Sequence, residues 1–226
     1  MTTKLEAIER GCKLNDQIFL LVVAKFKAKE FKTEKDVANF IDKEIKKAGA
    51  KNAFPTIVAS GSNAVDWHHK PTPKKLRKDF CVIDFGSKFN QYCSDMTRTV
   101  FLGKASKTEK RIYNIVKRTQ EKCIKKIKEG TSTTVLYLLA KKSLGAYADY
   151  FGHGLGHGLS KKIHDKPGIG KKESKLKAGQ IITIEPGIYI PRLLGIRIED
   201  DVLVKKNGYK VLSKSTKKLI EIPEKV

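Results

Sequence analysis

The chain lacks any apolar run long enough to cross a bilayer. Its longest, residues 18–24, falls far short of the roughly 20 residues that a spanning helix needs. It also lacks the unbroken apolar stretch of a secretory signal, because residues 1–11 carry charge every few positions. A cytoplasmic address without a membrane partner is the expectation. Cysteine is scarce: Cys12, Cys81, Cys93 and Cys123 are scattered and none forms a Cys-x-x-Cys pair. That pattern excludes a disulfide scaffold and a zinc knuckle, and it fits reduced thiols. Acidic residues are few, 24 against 47 cations, for a net charge of +23. Yet arginine is rare too, with only Arg10, Arg77, Arg98, Arg111, Arg118, Arg192 and Arg197 present. Nucleic-acid sites concentrate charge on one face and favour arginine for phosphate forks. The lysines here are spread along helices and turns without aromatic interleaving, so the excess reads as a solvated surface, with no nucleic-acid partner expected.

What is present describes an ordinary globule. The 226 residues, 40% hydrophobic and 31% charged, suffice for one sizeable core and are read as a single domain over 1–226. Leu5, Ile8, Cys12, Ile18, Leu21 and Val22 predict one long amphipathic helix, interrupted by Asn15 and Asp16. A second helix opens on a Thr33 to Asp36 capping box and ends at Gly49. Residues 55–59 read as a strand, and residues 80–85 and 92–102 as a strand pair around a turn at 86–90. Two lysine-rich helices follow, the first capped by Ser106 with Glu109 and stopped by Gly130, the second over 133–144. A second strand pair covers 180–190 and 195–204. The order helix-helix-hairpin, twice, gives an α+β class with a structural duplication that no residue-level repeat marks.

The chemistry concentrates in histidines and acids. All five histidines lie in two clusters, His68 with His69 and His153 with His157 and His164, each upstream of a carboxylate pair. Those pairs are Asp84 with Asp95 and Glu185 with Glu199. Hairpin pairing would turn both members of each pair to one face. Four acids and an imidazole in apolar, β-prone surroundings call for a cation to offset their charge. Hard oxygen donors with one imidazole suit Mn²⁺, Co²⁺, Fe²⁺ or Zn²⁺ in a two-metal hydrolytic site better than a structural zinc. The glycines of 152–158 would let a metal or substrate approach the backbone.

Five segments in order, Val82-Ile83-Asp84-Phe85-Gly86, Ser94-Asp95-Met96-Thr97-Arg98-Thr99, His153-Gly154-Leu155-Gly156-His157-Gly158, Thr183-Ile184-Glu185-Pro186-Gly187-Ile188-Tyr189 and Gly195-Ile196-Arg197-Ile198-Glu199-Asp200-Asp201, resemble the signature of the pita-bread metallopeptidases. The resemblance is to their Xaa-Pro dipeptidase (prolidase) and aminopeptidase P branch. It implies a curved antiparallel sheet covered by helices and hydrolysis of the N-terminal Xaa-Pro bond of dipeptides or short peptides. It further implies two divalent metals, Mn²⁺ or Co²⁺ first, with Asp84 on one ion, His157 and Glu185 on the other, and Asp95 and Glu199 bridging. Glu185 would shuttle the proton, His164 would stabilise the oxyanion, and His68 would contact the substrate. His153, Tyr189 and Arg197 would shape the substrate pocket, Thr97 would support the ligands, and His69 is expected to be a solvated neighbour.

The Arg197 and Glu185-to-Tyr189 segments separate this reading from methionine aminopeptidase, which shares the five ligands. Retention of all five argues against a non-catalytic binding protein on the same scaffold. The N-terminal domain usual in prolidases is expected to be absent, which leaves monomer and homodimer both open.

Overall fold

A computed structural model describes residues 2–223 of the chain. The first half opens with helices α1 (Lys4–Lys27) and α2 (Glu34–Lys47) and continues through β1 (Lys51–Asn52), β2 (Ile57–Ser60), β3 (Asp79–Phe85), β4 (Ser87–Phe89), β5 (Tyr92–Cys93) and β6 (Met96–Leu102). The second half opens with α3 (Lys107–Ile124) and α4 (Thr133–Leu144). It continues through β7 (Gly156–Gly158), β8 (Asp165–Ile169), β9 (Ile181–Ile184), β10 (Gly187–Ile190), β11 (Leu194–Arg197), β12 (Asp200–Lys205) and β13 (Gly208–Val211), before β14 (Glu221–Ile222) returns to the first sheet.

The duplication is real in three dimensions. In the first half β2, β3 and β6 lie side by side and antiparallel; in the second half β7, β9 and β12 do the same. Each sheet buries one face against its own pair of helices. Val22, Phe26, Val37, Ile41 and Ile45 pack on Cys81, Ile83 and Val100 in one core. Val116, Cys123, Leu136 and Ala140 pack on Ile182, Ile184 and Val202 in the other. Removing this much apolar surface from water is what holds each half together.

Local signals act where the spacing places them. Thr3, Thr33 and Ser106 each close a capping box with the acid three residues on. Gly49 takes φ +73°, a left-handed conformation that other residues resist, and stops α2. The two polar interruptions of α1 turn out to be its anchors. Buried Asn15 donates to Ser94 Oγ and accepts from Ser87 Oγ, while Asp16 accepts from the backbone N–H groups of Lys214 and Ser215.

Two expectations need correction. The first lysine-rich helix ends at Ile124, before Gly130, because residues 125–130 leave the helix in a series of turns. The long strands expected at 92–102, 180–190 and 195–204 are each interrupted. The breaks fall at Ser94-Asp95, Glu185-Pro186 and Ile198-Glu199, so strand pairing stops where an acid leaves the ladder.

Candidate metal centre

The two sheets meet at a seam, and the acids line it. Thr97 carbonyl accepts from Glu199 N–H (3.1 Å), and Arg197 N–H and carbonyl pair with the Thr99 hydroxyl (3.2 and 2.8 Å). Asp84 stands near the end of β3 and Asp95 just before β6; Glu185 follows β9 and Glu199 precedes β12. The halves therefore contribute equivalent positions. Asp84 lies opposite Thr97, two residues from Asp95, and both acids line the same cavity.

His157 joins them from β7. Its backbone N–H donates to Thr183 Oγ1 (3.0 Å), and its Nδ1 sits 3.2 Å from Gly158 carbonyl oxygen, which fixes the proton on Nδ1. Nε2 then points its lone pair toward Asp95 Oδ2 (3.7 Å) and Glu185 Oε1 (3.5 Å). Burial lowers the imidazole's pKa and keeps it neutral, the form that ligates metal. Ligand atoms of Asp95, His157 and Glu199 lie within 4.8 Å of one another.

Asp84 and Glu199 are each held by one oxygen and offer the other. Asp84 Oδ2 accepts from Arg197 Nη2 (2.6 Å), and Glu199 Oε2 accepts from Thr97 Oγ1 (2.6 Å). Asp84 Oδ1, Asp95 Oδ1 and Glu199 Oε1 are buried without a hydrogen-bond partner. Burial, reinforced by the neighbouring carboxylates, pushes Asp95 and Glu199 well above the usual carboxylate range, and burial raises Glu185 as well. Such orphaned, mutually repelling oxygens beside a neutral imidazole fit a divalent cation, which would satisfy the lone pairs and offset the charge. All four cysteines are buried elsewhere, so the donors are hard oxygens and nitrogen.

Around the acids runs a cavity of about 510 Å³. His68, His153, His164 and Arg197 line it together with Asp84, Asp95, His157, Glu185 and Glu199. The His164 ring lies 4.5 Å from that of His157, edge to face. Tyr189 is placed behind this wall, only 4% exposed. It completes a chain of donors: Arg197 Nη1 donates to the Tyr189 hydroxyl (2.9 Å), which donates to His153 Nε2 (2.8 Å), whose Nδ1 donates to Gly154 carbonyl oxygen (2.7 Å). Burial pushes Tyr189 up to about 12, so its O–H stays protonated. With Nε on Thr97 Oγ1 (3.1 Å), the buried Arg197 ties Asp84, Thr97 and Tyr189 into one frame.

Gly154 and Gly156 line the cavity, and the glycines of this stretch also make room for neighbouring strands. A Cβ on Gly156 would stand 2.0 Å from Thr183 carbonyl oxygen, and one on Gly158 would stand 2.2 Å from that of Lys166. They admit the neighbouring strands to β7, and thereby set His157. His69 is not merely solvated either: its Nε2 lies 3.0 Å from Glu34 Oε2.

Two acids escaped the sequence reading. Asp201 is buried and accepts from Asp95 N–H (2.9 Å) and the Cys12 thiol (3.2 Å), fixing Asp95 from behind; burial pushes it up to about 8. Its signal was available, since Glu199 and Asp201 alternate and so share a face. Glu34, fully buried at the start of α2, carried no such signal. Burial alone would raise its pKa, but donors from Ser60, His69, Thr72 and Asn63 prevail and bring it down to about 2 from 4.5. A depressed carboxyl stabilises the fold above its unfolded value, and that contribution is lost as pH falls toward 2. Glu34→Gln is therefore expected to melt below the wild type at pH 7, by a margin that shrinks between pH 4.5 and 2 in thermal scans. A margin that does not change with pH would assign the effect to shape instead of charge.

Comparison with known proteins agrees with this fold. The model of metallopeptidase family M24 matches residues 6–206. The Xaa-Pro dipeptidase of Pyrococcus furiosus is 39% identical over 222 residues, covering 96% of this chain and 63% of the relative. Among solved structures, an Xaa-Pro dipeptidase from Bacillus anthracis superposes with a TM-score of 0.92 at 34% identity, over 98% of this chain and 63% of that one. An X-Pro aminopeptidase from Thermotoga maritima gives 0.91 at 34% identity, over 97% and 63%. The chain thus spans 63% of the length of each of these three relatives. The α+β, pita-bread architecture is shared with these neighbours. Given a match over nearly its whole length, the chain belongs to metallopeptidase family M24.

Proposed function

We propose that the chain hydrolyses the N-terminal Xaa-Pro bond of dipeptides or short peptides, with two divalent ions held by Asp84, Asp95, His157, Glu185 and Glu199. The observation that carries this reading is the set of orphaned acid oxygens on the floor of a cavity that peptides of this size can enter. When bound, the ions polarise the scissile carbonyl and lower the pKa of the attacking water. Mn²⁺ and Co²⁺ suit these donors, and Fe²⁺ and Zn²⁺ are compatible with them.

The chain's own groups do the rest. Glu185, whose carboxyl burial makes more basic than usual, takes the proton from the attacking water and hands it to the leaving nitrogen. His164, with a pKa lowered by burial and by His157, donates a neutral N–H to the developing oxyanion. His68 contacts the substrate from the cavity rim. Arg197, Tyr189 and His153 act as a relay of fixed donors that holds Asp84 and the His153 ring in register.

Metal-reconstituted protein assayed side by side on Gly-Pro, Gly-Pro-Ala and Met-Ala-Ser is expected to cleave the first or second and spare the third. Cleavage of Met-Ala-Ser alone would move the chain to methionine aminopeptidase chemistry. Cleavage of none would remove the catalytic reading altogether.

A further inference from the structure

The one tryptophan of the chain, Trp67, lines the metal cavity on a segment that forms part of no regular strand or α-helix. Its indole centroid lies 5.7 Å from the His153 ring and 5.5 Å from the Tyr189 ring, tilted by 55° and 59°. It also rests on Gly152, where an added Cβ would come within 3.0 to 3.1 Å of the indole edge. Phe54, Pro55 and Ile57 line the same cavity. Apolar side chains thus line the cavity together with the acids.

An exposed loop would not hold an indole so placed unless something fixed it. The segment on either side of it is bonded to Glu34. Its two carboxylate oxygens receive six donor groups: Ser60 N and Oγ, Asn63 Nδ2, His69 Nε2, and Thr72 N and Oγ1, at 2.8 to 3.2 Å. Every one belongs to residues 60–72, the segment that carries Trp67 and His68. The backbone adds Lys35 N–H to Thr72 carbonyl oxygen (3.2 Å) and Leu76 N–H to Lys32 carbonyl oxygen (2.9 Å). A fully buried carboxylate is retained at high desolvation cost, and here its hydrogen bonds are directed at the segment that carries Trp67.

We infer that Trp67 is a specificity-determining side chain that packs against an apolar side chain or ring of the bound peptide, and that Glu34 is the positioning residue that holds it there. The inference rests on the peptidase reading for its substrate, but its geometry is independent of which bond is cut. A flat indole face gives large contact area at little conformational cost, so its loss weakens binding more than turnover.

Trp67 reports on itself, being the only indole. In metal-loaded protein, titration with the unreactive amino acids L-proline and L-leucine is expected to change its fluorescence. Trp67→Ala is expected to raise KM about tenfold with kcat nearly unchanged, and Trp67→Phe to restore most of the loss. Glu34→Gln is expected to raise KM in the same direction, shift the Trp67 emission to the red and increase its quenching by acrylamide, with Glu34→Asp milder. If Glu34→Gln does not fold, Thr72→Val, which removes one of the six donors, carries this arm. An unchanged KM in Trp67→Ala, or unchanged emission and KM in the Glu34 or Thr72 variant, overturns the inference. Fluorescence changes without any Xaa-Pro hydrolysis would instead sink the substrate assignment and leave Trp67 as a ligand contact.

Discussion

Glu199→Gln is expected to move stability and activity in opposite directions. Its Oε1 is buried without a partner and is the proposed metal donor while Thr97 holds Oε2, and the amide keeps the shape and the Thr97 hydrogen bond but loses the charge. Hydrolysis and metal affinity should each fall by at least about a hundredfold, since supporting residues around a metal already cost 10–100-fold when removed. The metal-free protein should become more stable, by roughly 1–3 kcal/mol, because one of several repelling buried carboxylates is gone. Calorimetry with and without Mn²⁺ reads both effects. A metal-free variant that melts below the wild type, or one still stabilised by metal, would contradict the assignment of Glu199 as a ligand.

The largest purely structural effect is expected at Arg98. This guanidinium, 1% exposed, donates to the carbonyl oxygens of Thr97, Glu199 and Ser215 and forms an ion pair with Asp200 at 2.6 Å. Burial alone would raise Asp200, yet Arg98, Lys217 and Gln120 hold it below the usual carboxylate range. Arg98→Met leaves a buried carboxylate and three carbonyl groups short of donors, at a cost of about 3–5 kcal/mol. For a chain of this size that is a drop in Tm of roughly 6–20 °C. Adding Asp200→Asn should recover part of the loss in a double-mutant cycle. Simple additivity of the two would mean that the pair does not act as a unit.

Much of this was written locally in the chain. Capping boxes, the glycine stop after α2 and the alternating apolar stretches follow from short-range rules, and they placed the helices and paired strands nearly where they lie. The sequence also singled out the acids and the imidazole that the structure brings to one cavity, because such groups inside β-prone segments have few other uses. What was not legible is long-range. Strand breaks at Asp95, Glu185 and Glu199 arise because these residues turn away from the ladder toward the seam, which no spacing reveals. Glu34 and Arg98 find their partners far along the chain, at Ser60 to Thr72 and at Asp200 to Ser215. The glycines around His157 also make room for Thr183 and Lys166 backbone, a demand that no local spacing announced.

The seam between the halves also sets a timetable. Asp84 and Glu199 lie 115 positions apart (199 − 84), and the proposed ligands divide between the two duplicated units, Asp84 and Asp95 in the first and His157, Glu185 and Glu199 in the second. Contacts so distant along the chain form late, after each half has collapsed on its own helices. During synthesis the first half emerges with two acids and a helical cover, before β14 has joined its sheet, and with no means of binding ions as the proposed finished site would. On the proposed reading, a chain leaving the ribosome is inert toward neighbouring nascent peptides until its last ligand has emerged and the two halves have closed.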